Sequence, residues 1–194
     1  MSQEWSKYKL VVFDLDNTLY RETDYLFAAY RRIAERCAAD PPTAEEYYSY
    51  LCTSFAREGR ADLFQRFKDR YAVALSIPQM LEILRTTECA LTIYPAKKDL
   101  IAHLLEKGKK VAILTNGNSQ QQRQKIVNLQ IKKLFPQLAV VYASEIESKP
   151  SPRALQQLMV QTGVRPEETL FVGDGETDCR TAANAGVDFV YTTE

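Results

Sequence analysis

The 194-residue sequence predicts an α/β fold, a doubly wound parallel sheet that carries an inserted all-helical domain. Short apolar runs alternate with helical stretches through the second half of the chain, which is the pattern of repeated strand–helix–strand units. Residues 20–87 show helical periodicity instead, with almost no glycine and no convincing strand. We therefore expect an α/β core domain of residues 1–19 and 88–194, and a helical domain of residues 20–87 inserted after the first strand.

The first predicted strand is the apolar, largely β-branched run Leu10–Phe13. It ends at two carboxylates one residue apart, Asp14 and Asp16, which are followed by Asn17 and Thr18. Packing gives no reason for charge at the end of a buried strand, whereas a cation site or a carboxylate nucleophile requires carboxylates there. A solvated strand end with a turn-capping aspartate is the structural alternative.

Four helices are predicted in the insert. Helical periodicity runs over residues 24–39 and is broken by Pro41-Pro42, after which residues 43–46 have the form of a capping box for a second helix. A third amphipathic helix is expected over residues 63–71, and a fourth begins at Ser76. The aromatic residues of this segment predict a core between its own helices rather than a ligand site.

In the remainder of the chain, strands and helices alternate. Strands are predicted at residues 110–115, 138–143, 169–174 and 188–191, and helices at 96–107, 119–129, 152–162 and 177–185. Ligands of open parallel sheets bind beyond the carboxyl ends of the strands. Polar residues at these strand ends are therefore the candidates for a functional site.

Polar side chains stand at three further points on this predicted rim. Thr115 and Asn116 end the second strand, Lys149 precedes a helix, and Asp174 and Asp178 follow the fourth strand. Each also has a structural explanation: Thr115 can end a strand, Lys149 can be a solvated loop residue, and the aspartates can be turn and helix-cap residues.

Such a set of groups meets the physical requirements of phosphoryl transfer. A phosphate dianion repels a carboxylate nucleophile, so a divalent cation and fixed positive donors must offset that repulsion. Mg²⁺ prefers oxygen ligands and keeps several waters, so two or three acidic side chains suffice to hold it. A second carboxyl group can protonate the leaving oxygen and later activate water.

Four segments resemble the four motifs of the haloacid dehalogenase superfamily: residues 13–19, 114–117, 148–150 and 173–178. The insert lies where the first subclass of that superfamily has its helical cap, and the resemblance covers essentially the whole chain. It implies a Rossmann-like core with a cap. Among relatives, the chain is similar to phosphatases of the phosphoglycolate, nucleotide and acylneuraminate kind.

The resemblance also implies a role for each matching residue. Asp14 is the expected nucleophile, which forms an aspartyl-phosphate, and Asp16 is the expected general acid–base. The presence of Asp16 argues against a true dehalogenase, which lacks a carboxyl acid there. The implied phosphate-binding residues are Thr115, Asn116 through its backbone N–H, and Lys149. Thr18 is implied to support the first loop. The implied Mg²⁺ ligands are Asp14, the Asp16 backbone carbonyl, Asp174, and Asp178 through water or as an anchor.

Composition excludes several other classes. The 25 Lys and Arg residues balance 25 Asp and Glu residues, so nothing points to a nucleic acid or an anionic membrane. No stretch is long enough to span a bilayer, and the amino terminus lacks the apolar region of a signal peptide. The four cysteines lack zinc-type spacing and are expected to be reduced thiols in a cytoplasmic protein, and the single histidine, His103, disfavours histidine-based metal sites.

The leading prediction is a Mg²⁺-dependent phosphatase that acts on a small phosphorylated metabolite. A phosphomutase of the same superfamily would use the same groups and is the first alternative. A non-enzymatic, phosphometabolite-binding regulatory module is the second, although all the motif residues are present. The substrate and the oligomeric state stay open.

Overall fold

A computed structural model describes residues 5–192 of the chain. In this part of the chain, five parallel strands form one sheet of order β3-β2-β1-β4-β5. The strands are β1 (Leu10–Phe13), β2 (Lys110–Thr115), β3 (Ala139–Tyr142), β4 (Thr169–Gly173) and β5 (Asp188–Tyr191). The predicted α/β fold with a parallel sheet is confirmed.

Nine α-helices accompany the sheet within residues 5–192. They are α1 (Glu22–Cys37), α2 (Pro41–Glu58), α3 (Leu63–Tyr71), α4 (Ile77–Thr86), α5 (Pro95–Glu106), α6 (Ser119–Asn128), α7 (Ile131–Leu134), α8 (Arg153–Thr162) and α9 (Glu176–Ala185). The short helix α7 was not predicted, because four residues are too few to show a helical period.

The chain divides into two compact units. One runs up to Glu22 and continues from Ala90 onward, and the other is Thr23–Cys89. The division falls a few residues later at each junction than the predicted limits of residues 20 and 87. We refer to these as the α/β unit and the helical unit.

In the α/β unit, the strand order places β1 at the centre of the sheet. β1 pairs in register with β2 on one side and β4 on the other, so that Phe13 lies opposite both Ile113 and Val172. The chain therefore reverses its winding direction between β1 and β4. In sheets of this kind, the carboxyl ends of the strands at the reversal form a crevice that binds ligands.

The central strands are apolar on both sides because helices cover both faces of a parallel sheet. All four residues of β1 and all five of β4 are buried. On one face, Val12 and Phe171 belong to a cluster with residues of α8 such as Leu155. The first strand is thus anchored over its whole length, which holds the residue after it, Asp14, in place.

The helical unit has an aromatic core. The rings of Tyr47 and Tyr50 on α2 pack against Phe67 and Tyr71 on α3, with the centroids of Tyr47 and Phe67 5.3 Å apart. Phe67 is fully buried. These rings form a core between helices, as their spacing in the sequence predicts.

Several helix starts differ from prediction by one or two residues. Helix α2 begins at Pro41, and the Asp40 side chain caps it by accepting a hydrogen bond of 2.8 Å from the Thr43 backbone N–H. Proline is tolerated in the first turn because the N–H there has no partner within the helix. Helix α6 begins at Ser119 as predicted, with Asn118 as its cap, and α8 begins at Arg153, one residue later than predicted.

Candidate active site

Asp14 lies directly beyond β1 and is buried. Its backbone N–H donates to the Val172 carbonyl over 2.9 Å, which extends the pairing of β1 with β4 by one residue. Its carboxylate Oδ1 accepts a hydrogen bond of 2.5 Å from Lys149 Nζ. The strand end therefore presents a fixed carboxylate paired with an ammonium group.

Lys149 is a buried cation and not a solvated loop residue. Its side chain is 3% exposed, and Nζ donates to Asp14 Oδ1 and to Asp178 Oδ1, both over 2.5 Å. The Asn116 side chain holds the Lys149 backbone from both sides, accepting from its N–H over 2.8 Å and donating to its carbonyl over 3.1 Å. The Lys149–Pro150 peptide bond is cis.

Asp174 and Asp178 complete an acidic cluster with Asp14. Gly175 is the N-cap of α9, so Asp178 lies in the first turn of the helix, where it is buried. One carboxylate oxygen from each of Asp14, Asp174 and Asp178 lies within 4.8 Å of the other two. Three hard oxygen donors at this spacing fit Mg²⁺.

The electrostatics of the cluster also fit a divalent cation. Burial raises the pKa of Asp14 to about 7; Lys149 opposes this rise, and the Asp178 and Asp16 carboxylates add to it. Asp174 is exposed at the edge of the cluster, and its partial desolvation and the Asp178 carboxylate raise its pKa. Burial would lower the pKa of Lys149, but Asp14 and Asp178 raise it above its ordinary value. Three carboxylates thus share a single ammonium group, and this excess negative charge is what a cation offsets.

Gly173, the last residue of β4, leaves no space for a side chain. A Cβ atom at this position would lie 2.5 Å from Oδ2 and 2.7 Å from Cβ of Asp178. At Gly175 a Cβ would meet nothing within 4 Å. The close approach of strand and helix at Gly173 therefore sets the position of the Asp178 carboxylate.

Asp16 is held in a different environment from Asp14. Its Oδ1 accepts from the Tyr20 hydroxyl over 2.6 Å, and its Oδ2 accepts from Gln122 Nε2 over 2.8 Å. Lys125 Nζ donates to both oxygens over 2.8 Å. The two carboxylates of the first motif are thus paired with two different lysines.

The turn after Asp16 depends on Asn17. This residue has a φ of +57°, a left-handed conformation that asparagine tolerates better than most residues. Its Oδ1 accepts from the Glu22 backbone N–H over 3.0 Å. Thr18 is buried, and its hydroxyl has no hydrogen-bond partner among residues 5–192. Asn17 therefore supplies a side-chain hydrogen bond in this turn, and the supporting role of Thr18 stays a prediction.

Thr115 lies at the end of β2, next to the same group of residues. Its hydroxyl is buried and accepts from Gln122 Nε2 over 3.0 Å. All the polar residues that the sequence singles out therefore lie just beyond β1, β2 and β4, in the Lys149 loop or in the first turn of α9. Their individual roles stay predictions.

Three contacts of this site were not predicted from the sequence: those of Tyr20, Gln122 and Lys125 with Asp16. Gln122 and Lys125 are three residues apart on α6, which places them on one face of the helix that follows β2. This spacing was the only available signal. A lysine in a polar helix otherwise indicates a solvated side chain.

The family model of haloacid dehalogenase-like hydrolases matches residues 11–192. This chain belongs to that family. Phosphoglycolate phosphatase of Cereibacter sphaeroides is 30% identical over 193 residues, covering 95% of this chain and 84% of that protein. The family and this relative indicate a phosphatase of the hydrolase class.

Solved structures share the fold at lower identity. YfnB of Bacillus subtilis, solved bound to magnesium, has a TM-score of 0.64 at 18% identity, with 95% of this chain and 86% of that chain covered. A predicted phosphoglycolate phosphatase from Haemophilus somnus has a TM-score of 0.63 at 22% identity, with 95% of this chain and 85% of that chain covered.

Among residues 5–192, no helix combines the length and apolar character needed to cross a membrane.

Proposed function

We propose that this protein is a Mg²⁺-dependent phosphatase that hydrolyses a small phosphorylated metabolite through an aspartyl-phosphate on Asp14. The observation that carries the proposal is the buried ion pairing in which Lys149 Nζ lies 2.5 Å from both Asp14 and Asp178, with the exposed Asp174 beside them. It combines a carboxylate nucleophile, a fixed cation and oxygen donors for a metal in one place.

The metal ligands in this proposal are the Asp14, Asp174 and Asp178 carboxylates and the Asp16 backbone carbonyl. When bound, Mg²⁺ supplies positive charge that offsets the repulsion between the phosphate and the nucleophile. The excess of carboxylates over ammonium groups in the cluster supports this assignment. The related fold of YfnB, which was solved with magnesium, supports it as well.

In the first half-reaction, an Asp14 oxygen attacks phosphorus and the bond between phosphorus and the leaving oxygen breaks. Asp16 gives its proton to that leaving oxygen. The Lys149 ammonium, the Thr115 hydroxyl and the Asn116 backbone N–H bind the phosphate oxygens and stabilise the charge that develops on them. In the second half-reaction, Asp16 takes a proton from water, which attacks phosphorus and releases inorganic phosphate and free Asp14.

The substrate is proposed by class alone. The phosphoglycolate phosphatase of C. sphaeroides makes phosphoglycolate the first compound to test. We propose that the helical unit acts as a cap and carries the residues that select the substrate. A screen of phosphorylated metabolites by phosphate release is the direct way to identify it.

The test is Asp14→Asn, assayed for phosphate release from p-nitrophenyl phosphate and phosphoglycolate with Mg²⁺ and with EDTA. We expect no measurable turnover by the variant, and loss of wild-type turnover in EDTA that Mg²⁺ restores. Acid-quenched wild-type protein should carry a hydroxylamine-labile phosphoryl group on the Asp14 peptide by mass spectrometry. Asp99→Asn, an exposed substitution on α5, is the matched control and should behave as wild type.

Near-normal turnover by Asp14→Asn would exclude Asp14 as the nucleophile. Transfer of the phosphoryl group within a sugar phosphate, with no free phosphate released, would favour the phosphomutase alternative. Failure to release phosphate from any compound of a broad panel would favour a binding module.

A further inference from the structure

Lys125 is a buried charged residue that lies outside the four motifs. Its side chain is 2% exposed, and Nζ lies 2.8 Å from both carboxylate oxygens of Asp16 and 3.5 Å from Glu22 Oε1. A buried ammonium group is costly unless it is paired, so its position is tied to these two carboxylates. Lys125 is thus bound to the one carboxylate that must exchange protons in the proposed reaction.

The Asp16 carboxylate is fixed by more than this one ion pair. Each of its oxygens receives two donors: Oδ1 accepts from Tyr20 and Lys125, and Oδ2 accepts from Gln122 and Lys125. Contacts on both oxygens restrain rotation of the carboxylate plane as well as its position. The side chain is nevertheless 20% exposed, so one side of the group stays open.

Gln122 connects this carboxylate to the proposed phosphate-binding residues. Its Nε2 donates to Asp16 Oδ2 and to Thr115 Oγ1, and it also donates to the Asn116 carbonyl. One amide group thus sets the distance between the end of β2 and the Asp16 side chain. The position of the Asp16 carboxyl group relative to a phosphate bound at Thr115 therefore depends on this amide group.

We propose that Lys125 and Gln122 are positioning residues, which hold the Asp16 carboxyl group in the orientation that proton exchange with the leaving oxygen requires. The inference rests on the proposed function, in which Asp16 is the general acid–base. Proton transfer needs heavy atoms about 2.6–3.2 Å apart. A displacement of about 1 Å costs roughly 100-fold in rate.

The experiment measures kcat/KM for a series of phosphomonoesters, from 2,4-dinitrophenyl phosphate to alkyl phosphates, in wild type and Lys125→Met. This parameter covers the steps up to departure of the leaving group, where the acid acts. We expect a loss of about 10- to 100-fold for alkyl phosphates and under about 3-fold for the dinitrophenyl ester, which leaves without protonation. If the ion pair served only stability, its loss would lower kcat/KM equally for all substrates.

A double-mutant cycle with Asp16→Asn tests whether Lys125 acts through Asp16. In the Asp16→Asn background, Lys125→Met should cost under about 3-fold for every substrate, because the group that it positions no longer exchanges protons. A penalty that persists in this background, or one that is independent of the leaving group, overturns the proposal. If Asp16→Asn itself shows no dependence on the leaving group, the proposed acid role of Asp16 fails instead.

Two further variants keep the result interpretable. Lys132→Met removes a lysine whose Nζ donates to the Leu138 carbonyl over 2.5 Å, away from Asp16, and should leave kcat/KM unchanged. Gln122→Met should show the same leaving-group dependence as Lys125→Met with a loss of about 3- to 10-fold, and it serves as the test if Lys125→Met does not fold. Far-UV circular dichroism of each variant establishes folding, and an unchanged leaving-group dependence in a folded Gln122→Met would contradict the proposal.

Discussion

Both units of this protein bury aromatic and aliphatic side chains, but they differ in whether they also bury charged groups. In the α/β unit, the charged groups of Asp14, Lys149, Asp178 and Lys125 are buried around the carboxyl ends of the strands. In the helical unit, the corresponding large buried groups are aromatic, as at Tyr30 and Phe67. Aromatic burial stabilises a fold directly, whereas burial of charge costs free energy unless every charge is paired. Among residues 5–192, paired charges are buried in the α/β unit alone, which is also the unit that carries the proposed chemistry.

The polar contacts of the helical unit support this distinction. The Tyr25 hydroxyl donates to the Leu84 carbonyl over 2.7 Å, and Ser76 with Gln79 forms a capping box at the start of α4. Such contacts satisfy helix ends and a phenol group. In contrast, the contacts of Lys149 join residues that lie 135 and 29 positions away in the sequence.

The largest expected effect comes from removing the central cation of the α/β unit. Lys149→Met should lower kcat/KM by about 1,000-fold, because it removes a phosphate donor and leaves Asp14 and Asp178 unpaired. Steady-state phosphate release measures the loss. Lys9→Met, at the opposite end of β1 in an ion pair with Glu168, is the matched control and should change activity little. A loss of kcat/KM under 10-fold in Lys149→Met would contradict the proposed role of Lys149 in phosphate binding.

In the helical unit, the largest effect should be on stability. Phe67→Ala should lower the free energy of unfolding by about 3–5 kcal/mol, because it opens a cavity in the aromatic core. Urea unfolding followed by far-UV circular dichroism measures the change. Gln65→Ala, an exposed substitution on the same helix, should stay within about 0.5 kcal/mol of wild type. A cost under 1 kcal/mol at Phe67 would contradict an aromatic core.

A smaller effect is expected where strand and helix meet at the acidic cluster. Gly173→Ala places a methyl group against Asp178, so the carboxylate must move. We expect activity to require about 10-fold more Mg²⁺ and kcat/KM to fall about 10- to 100-fold. Titration of activity with Mg²⁺ measures both. Gly175→Ala has space for its Cβ and should match wild type; equal behaviour of the two variants would show that Asp178 does not need this position.

The smallest effect concerns the stability cost of burying Asp14. The pKa of Asp14 in the fold is about 7, against about 3.9 for an unfolded aspartate, so the folded chain binds more protons between these values. Stability of the metal-free protein should therefore fall as pH rises from about 4 to 7. At pH 8 in EDTA, Asp14→Asn should be more stable than wild type by about 1–3 kcal/mol, and the difference should shrink towards pH 4.

Thermal unfolding across this pH range measures the effect. Added Mg²⁺ should stabilise wild type and reduce the difference from Asp14→Asn, since a bound cation favours the ionised carboxylate. A variant less stable than wild type at pH 8 in EDTA would show that the ion pair with Lys149 outweighs the cost of burying Asp14.

Much of the fold was predictable because its signals are local. Apolar runs such as Leu10–Phe13 predict buried strands, and glycines such as Gly163 predict helix ends, each within a few residues. The start of α2 was predicted wrongly for a local reason as well. Pro41-Pro42 is compatible both with a helix break and with a first helical turn, and the Asp40 cap decides between them.

Some features of the site follow from local sequence, and others follow only from tertiary contacts. The sequence by itself determined the parallel sheet, the family and the set of polar strand ends. Burying charge costs free energy, so carboxylates directly after an apolar strand indicate a functional site. Tertiary structure alone decided that Lys149 is buried, that Asn116 holds its backbone, and that Lys125 pairs with Asp16. Asp16 and Lys125 are 109 positions apart and meet because β1 pairs with β2, a contact that no local pattern of residues encodes.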